Sequence, residues 1–290
     1  MKKSPHGYFL CGEFFYRRFS EDMENKKVLA MVESAVMIAL ATVLSLLKLA
    51  ELPAGGSVTF ASMLPIVLIS YRHGAKYGLA AGTVYGVIQQ LLGLKNLSYV
   101  TGFASVMAVI LLDYVIAFAV LGLGGCFKKS GMRQSLALVA GAAFSSALRY
   151  ICHVISGATV WAGLSIPTSA VLWGSLAYNA TYMIPETLIL LLVLFYISEA
   201  MDFSSATPRR IAKKTVASAP AFALVLAGGV FLLAAAIYDV IVIFSALQTS
   251  GSIALSGLAE VPWLWVLIVS ALGALLFSAS VLLAKRLDRK

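Results

Sequence analysis

The sequence predicts an all-α, polytopic membrane protein, a six-helix core followed by two further transmembrane helices. Three observations predict it. Of 290 residues, 60% are hydrophobic and only 12% charged, with a mean hydropathy of +0.92; a soluble domain carries roughly twice that share of charge. Several apolar runs approach or exceed the roughly 20 residues that cross a bilayer as helix. The basic residues fall in alternate connections between those runs.

The spans read near 30–50, 58–71, 77–94, 102–125, 135–157, 172–198, 216–246 and 262–284. Ahead of them, residues 1–27 form a polar tail. Glu13, Glu21, Asp22 and Glu24 interrupt it, so it lacks the apolar stretch of a signal peptide. "MENKKVLAMVESAVMIAL" opens at Met23 like a natural beginning, which leaves Met1 and Met23 as alternative starts and residues 1–22 as an upstream artefact or a disordered tail. Between the first two spans, "LPAGGSVTF" marks a turn through Pro53, Gly55 and Gly56. Residues 199–215, "EAMDFSSATPRRIAKKT", form a polar, basic linker, so the chain divides into a core at 28–198 and a two-helix block at 216–290.

The net charge of +9 invites a nucleic-acid reading, but its distribution excludes one. Nineteen of the 22 Lys and Arg lie in the tail, at Arg72 and Lys76, at Lys128, Lys129 and Arg133, in the linker, or at the C-terminus. Lys48, Lys95 and Arg149 stand apart. The positive-inside rule places every cluster in the cytoplasm, together with both termini. Cys11, Cys126 and Cys152 share no metal-ligand spacing and imply no disulfide framework.

Charges at membrane depth cost about 2.5–3.5 kcal/mol and therefore face a cavity or a partner. Asp113, in "LLDYVIAF", is the clearest case. Two readings stand: a buried acid paired with a neighbouring helix through Arg149, or a counter-ion for a cationic ligand. Arg149, His153 and Trp161 are separated by multiples of four and share one helical side. In "YNATYMIPE", Asn179, Tyr182 and Glu186 share another. Pro185 removes a backbone donor and bends the helix. Asn179 suits a heteroaromatic ring because an amide both donates and accepts. Glu186, one turn deeper than Tyr182, fits a role in joining helices. An acid, an imidazole, an amide and several aromatics suit a small, flat, cationic molecule, with about 0.5–2 kcal/mol per cation–π contact. Neither a nucleophile–base pair nor a metal cluster is evident, so no catalytic residue, metal or cofactor is expected.

At these residues the sequence resembles the thiamine-specific substrate-binding subunit (S component, ThiT or YuaJ type) of energy-coupling factor transporters. "LPAGGSVTFASMLPI", "LLDYVIAF", "RYICHVISGATVW" and "YNATYMIPE" carry the resemblance across residues 28–198. It implies a subunit without its own ATPase that captures thiamine near the outer face of a prokaryotic plasma membrane. Such a subunit docks on a transmembrane coupling protein driven by two ATPases. Asp113 stands where the family has a carboxylate, usually Glu, and Tyr114 follows it. Arg149, His153, Trp161 and Asn179 stand at matching ligand positions. The family's tyrosine five residues before Asn179 is Gly174 here, with Trp173 and Tyr178 near enough to substitute; Tyr182 completes the expected ligand set. Ala35 and Ala39, on the first span, match an Ala-xxx-Ala face that meets the coupling protein. The alternatives are the same fold binding a precursor such as hydroxymethylpyrimidine, a stand-alone secondary carrier, for which no inverted repeat is visible, or an intramembrane enzyme using His153 and Asp113.

Overall fold

A computed structural model describes residues 6–52, 55–161, 168–205, 207–211, 219–249, 252–253 and 260–287, with side chains of the first helix from Lys26 onward. The predicted Pro53 turn position and the basic residues Lys2, Lys3, Lys213, Lys214, Arg289 and Lys290 lie outside this set.

Helix α1 runs His6–Leu46 and is followed by β1 (Lys48–Glu51), paired antiparallel with β2 (Ser57–Thr59). Helices α2 (Leu64–His73) and α3 (Ala75–Leu92) lead through a 3-10 turn at Leu94–Tyr99 into α4 (Phe103–Val109). The chain then winds as a π-helix over Ile110–Ile116, returns to α5 (Ala117–Ala119) and tightens at Val120–Leu123. Helices α6 (Gln134–Thr159) and α7 (Ser169–Ala200) form the longest pairing of the core. A strand pair, β3 (Met201–Asp202) with β4 (Arg209–Arg210), precedes α8 (Ala219–Leu247). The short pair β5 (Gln248–Thr249) and β6 (Ser252–Ile253) precedes α9 (Trp263–Leu287). The protein is a helical membrane protein. Among the described residues, five helical segments are long and apolar enough to cross a bilayer: Lys26–Leu46, Phe103–Lys129, Gln134–Thr159, Ser169–Ala200 and Trp263–Ala284.

Two expected spans differ in kind. The run at 58–71 is helical only from Leu64, and its 10 residues reach about 15 Å, half a bilayer core. Leu64 to Tyr71 are all buried, so this apolar run fills the bundle interior instead of meeting lipid. Pro65 suits the first turn, where its missing N–H costs nothing. The first span stops at Leu46 because Lys48–Glu51 fold back onto β2.

Close approach between α3 and the fourth span comes from Gly78, Gly82 and Gly86, spaced by four. A Cβ at Gly78 would lie 2.5 Å from the Gly122 carbonyl oxygen, and one at Gly86 2.5 Å from that of Tyr114. Small residues at this spacing let helix backbones touch, which is how membrane helices gain packing without a hydrophobic drive. The stripe fixes where Tyr114 and its neighbour Asp113 sit.

The two ends of the bundle differ in charge. At one end Glu33 of α1 pairs with Arg72 (2.7 Å), and Arg72 donates to the carbonyls of Phe203 and Ser205 (3.1 and 3.2 Å). Gln134 donates to the carbonyls of Ser198 and Met201 there (2.9 and 2.6 Å). At the opposite end the tips of α1, α3, α6 and α7 meet the β1–β2 hairpin, around a cavity of about 520 Å³. Helices α8 and α9 pack on each other, and α8 rests on Leu192 and Tyr196 of α7 at Gly229. Asp239 accepts from Ser270 within this hairpin.

Candidate ligand-binding site

Asp113 is the centre of the cavity wall. It lies in the π-helical segment, a widened winding that recurs at functional sites, and both Asp113 and Tyr114 line the cavity. Its carboxylate collects donors from α6 and the residues just beyond it. His153 Nδ1 lies 2.9 Å from Oδ1; the Ser156 hydroxyl donates to Oδ2 at 2.6 Å and the Trp161 indole N–H at 3.0 Å. His153 and Ser156 lie one turn apart on one side of α6 and Trp161 follows just past its end, so one stretch of chain orients the acid. With Nδ1 turned to the carboxylate, His153 Nε2 is buried and has no partner among the described residues.

Arg149 does not join them. Its Nη1 donates to Glu186 Oε2 at 2.9 Å, and its guanidinium lies 4.4 Å from the centre of the Phe118 ring. The expected pairing of Asp113 with Arg149 is therefore replaced by two separate pairs, Asp113–His153 and Arg149–Glu186. The reason is depth: Arg149 lies one turn from His153 along α6, level with the turn of α7 that carries Glu186. Both members of the deeper pair are nearly fully buried, yet Arg149 still borders the cavity.

Helix α7 supplies the opposite wall. It continues unbroken through Pro185 as a 32-residue helix. The Asn179 amide donates to the Ser175 carbonyl (2.9 Å) and the His153 carbonyl (3.3 Å), and its oxygen accepts from the Tyr182 hydroxyl (2.7 Å). This amide, expected to face a ligand edge, is thus already held by protein partners on both its atoms. Tyr178 lines the cavity and donates to the Gly55 carbonyl at 2.6 Å. Trp173 is 67% exposed and borders no part of the cavity, so of the two aromatics expected to replace the missing tyrosine only Tyr178 reaches it; Gly174 itself borders the cavity.

The hairpin covers one side. Gly55 and Gly56 both have φ of +93°, a conformation that side-chain-bearing residues rarely adopt. A Cβ on Gly56 would come within 2.8 Å of the Tyr182 ring. At the mouth, Glu51 contacts Lys95 (2.7 Å) and Lys48 (3.1 Å). The hydrogen bond from Lys95, then that from Lys48, holds the Glu51 carboxyl below its ordinary range. These groups are exposed, and such pairs contribute little stability.

Ser156, Thr59 and Asn96 hold this region together without having been expected from the sequence; Asn96 donates to the Tyr114 hydroxyl at 3.0 Å. Ser156 carried a signal, since it lies three residues from His153 on the same face. Asn96 carried none, because a 3-10 turn between spans has no apolar period to set its direction. A preformed carboxylate, an imidazole and tyrosines around a 520 Å³ cavity can hold a flat cation of small-molecule size. Among the described residues, no cluster of three or more His, Cys, Asp or Glu could hold a metal ion.

A sequence profile described as "Thiamine transporter protein" matches residues 31–204, more than half of the chain and every residue of this site. The chain belongs to the thiamine transporter family. Within that family it is 38% identical to the "Thiamine transporter ThiT" of Bacillus subtilis (strain 168) over 183 residues, 59% of this chain and 91% of that protein. The structure of ThiT from Listeria monocytogenes is similar at 22% identity and a TM-score of 0.44, over 59% of this chain and 92% of that one. The thiamine transporter family is one of transporters and not of enzymes, and α8 and α9 lie beyond the stretch that its profile matches.

Proposed function

We propose that this protein captures thiamine from the outer side of a prokaryotic plasma membrane and presents it for ATP-driven uptake by an energy-coupling factor module. The observation that carries the proposal is Asp113, a carboxylate with three donors already in place, on the wall of a cavity sized for one small molecule. Thiamine bears a fixed positive charge on its thiazolium ring, and burying that charge without a counter-ion is costly. A carboxylate organised beforehand meets the charge with little reordering. Tyr114, Tyr178 and Tyr182 offer aromatic faces around it, and family membership makes thiamine the first ligand to test.

The cavity opens at the end of the bundle opposite Arg72, Lys128 and Arg133. By the positive-inside rule the basic end is cytoplasmic, which puts the mouth outside and both termini inside. Calorimetric titration with thiamine tests the assignment. Binding tighter than about 1 μM, or about 8 kcal/mol, is expected; heat from hydroxymethylpyrimidine alone would reassign the site to a precursor.

Residues 28–198 are proposed as the complete binding unit, with 1–27 a cytoplasmic tail, 199–215 a cytoplasmic linker and 216–290 an addition to it. Among the described residues, none beyond Tyr182 lines the cavity, and α8 reaches the core through the far half of α7. A chain ending at Ile211, which keeps the segment that Arg72 holds, is expected to insert and to bind thiamine within about threefold of the full protein, under 1 kcal/mol. Loss of binding in a truncated chain that stays monodisperse would assign α8 and α9 to the pocket.

A further inference from the structure

Glu186 is nearly fully buried, 2% exposed, and it does not line the cavity, yet both of its oxygens are engaged. Oε2 accepts from Arg149 at 2.9 Å, on the wall of the cavity. Oε1 accepts from the Thr59 hydroxyl at 2.7 Å, on β2 and 127 residues away. Since a hydroxyl donates only one proton and this carboxylate serves as acceptor, the 2.7 Å contact between Thr59 and Ser62 is donated by Ser62. A chain of hydrogen bonds therefore runs Ser62 to Thr59 to Glu186, met from the other side by Arg149.

The same face of α7 makes two further contacts with the hairpin. Tyr178, Tyr182 and Glu186 are spaced by four residues, so they rise along one line of the helix. Tyr178 bonds the Gly55 carbonyl, the Tyr182 ring lies against Gly56, and Glu186 holds Thr59. Three successive turns of α7 thus grip three successive points of residues 55–59, and all four tyrosine and glycine participants line the cavity. Just after Thr59 the backbone turns through Ala61 at φ +54°, a left-handed conformation that a β-carbon disfavours. Such a conformation persists where the surroundings over-determine it, and Thr59 and Ser62 bracket it.

We propose that Glu186 is a positioning residue for ligand binding: acting through Arg149 and Thr59, it sets the inner wall of the cavity and at the same time seats the hairpin that covers it. The inference rests on the thiamine-capture reading for its ligand but not for its geometry. A ligand entering past the hairpin requires residues 55–59 to lift from α7, and the deepest of the three attachments is the charged one. Glu186 therefore governs how long the cover stays closed more than how the ligand is recognised.

Hydrogen–deuterium exchange of the ligand-free full chain tests this directly, because it needs no ligand. Losing a hydrogen bond to a charged group raises local opening by about ten- to a hundredfold. Glu186→Gln and the milder Thr59→Val, which leaves the Arg149–Glu186 pair whole, should both speed exchange in residues 55–62 to that extent while α3 and α6 keep their protection. In stopped-flow titrations with thiamine, the two variants should dissociate faster, and association past the looser hairpin should be no slower. Uniform loss of protection in both variants, or unchanged exchange in residues 55–62, would make Glu186 a structural ion-pair member only and overturn the proposal. Faster exchange in residues 55–62 together with no thiamine binding in the parent protein would support the positioning role and remove thiamine as the ligand.

Discussion

Asp113→Asn is expected to lower thiamine affinity by roughly two to three and a half orders of magnitude while leaving the fold in place. The substitution keeps the side-chain volume and removes the charge. Truncating one partner of a buried charge pair typically costs roughly 3–5 kcal/mol, and about 1.4 kcal/mol is one decade of affinity. The thiazolium charge is fixed, so the ligand cannot escape the penalty by losing a proton. The three donors now on Asp113 make the loss specific: His153, Ser156 and Trp161 all present N–H or O–H groups to a carboxylate, and an amide nitrogen in place of one oxygen meets a donor where it needs an acceptor. Asp113→Glu keeps the charge and, with a 520 Å³ cavity beside it, should stay within about tenfold of the parent. Calorimetric titration of both variants with thiamine and with an uncharged pyrimidine fragment separates the contributions. Equal losses for the two ligands would tie Asp113 to the pyrimidine or to the fold, and unchanged thiamine binding would take it out of the site.

Much of the architecture was legible because membrane helices announce themselves through composition, and all eight apolar runs became helical in part. What the runs could not reveal was depth. Residues 58–71 read as a span, yet Leu64–His73 is a short interior helix, because a run apolar on every side fits lipid and protein interior alike. The convergence of Asp113, His153, Trp161, Asn179 and Tyr182 on one region followed from helical spacing and from the resemblance. The partner of Asp113 did not. Spacing along α6 put Arg149 and His153 on one face, but only the vertical offset between helices decides that His153 meets Asp113 while Arg149 meets Glu186. The π-helical winding at Ile110–Ile116 left no mark in the residues themselves. The glycines at 78, 82 and 86 did leave one, a small residue every fourth position, and it locates the helix contact that holds Tyr114 in place.

Replacing Ala35 and Ala39 together with tryptophan should leave thiamine binding intact and bring ATP-driven uptake down to background. Both alanines are exposed on α1, in company with Val32, Val36 and Val43, which are 56%, 63% and 57% exposed. Packing within the bundle, the competing explanation for small residues spaced by four, is therefore not what they do here. The opposite face of α1 meets α2 and α3, and α8 and α9 lie on the α7 side. Among the described residues, the alanine face thus remains open, with Ala35 and Ala39 both exposed. Small residues allow a second helix to approach until backbones are in van der Waals contact. Two indole rings at those positions would hold the helices several ångströms apart. Neither alanine lines the cavity, so calorimetry of the purified variant is the control and uptake of labelled thiamine by cells is the readout. Parent-level uptake by the double variant would assign docking to another surface. Loss of binding alongside uptake would show instead that α1 transmits its packing to the hairpin through the turn at Leu47, whose carbonyl accepts from Phe60 at 3.2 Å.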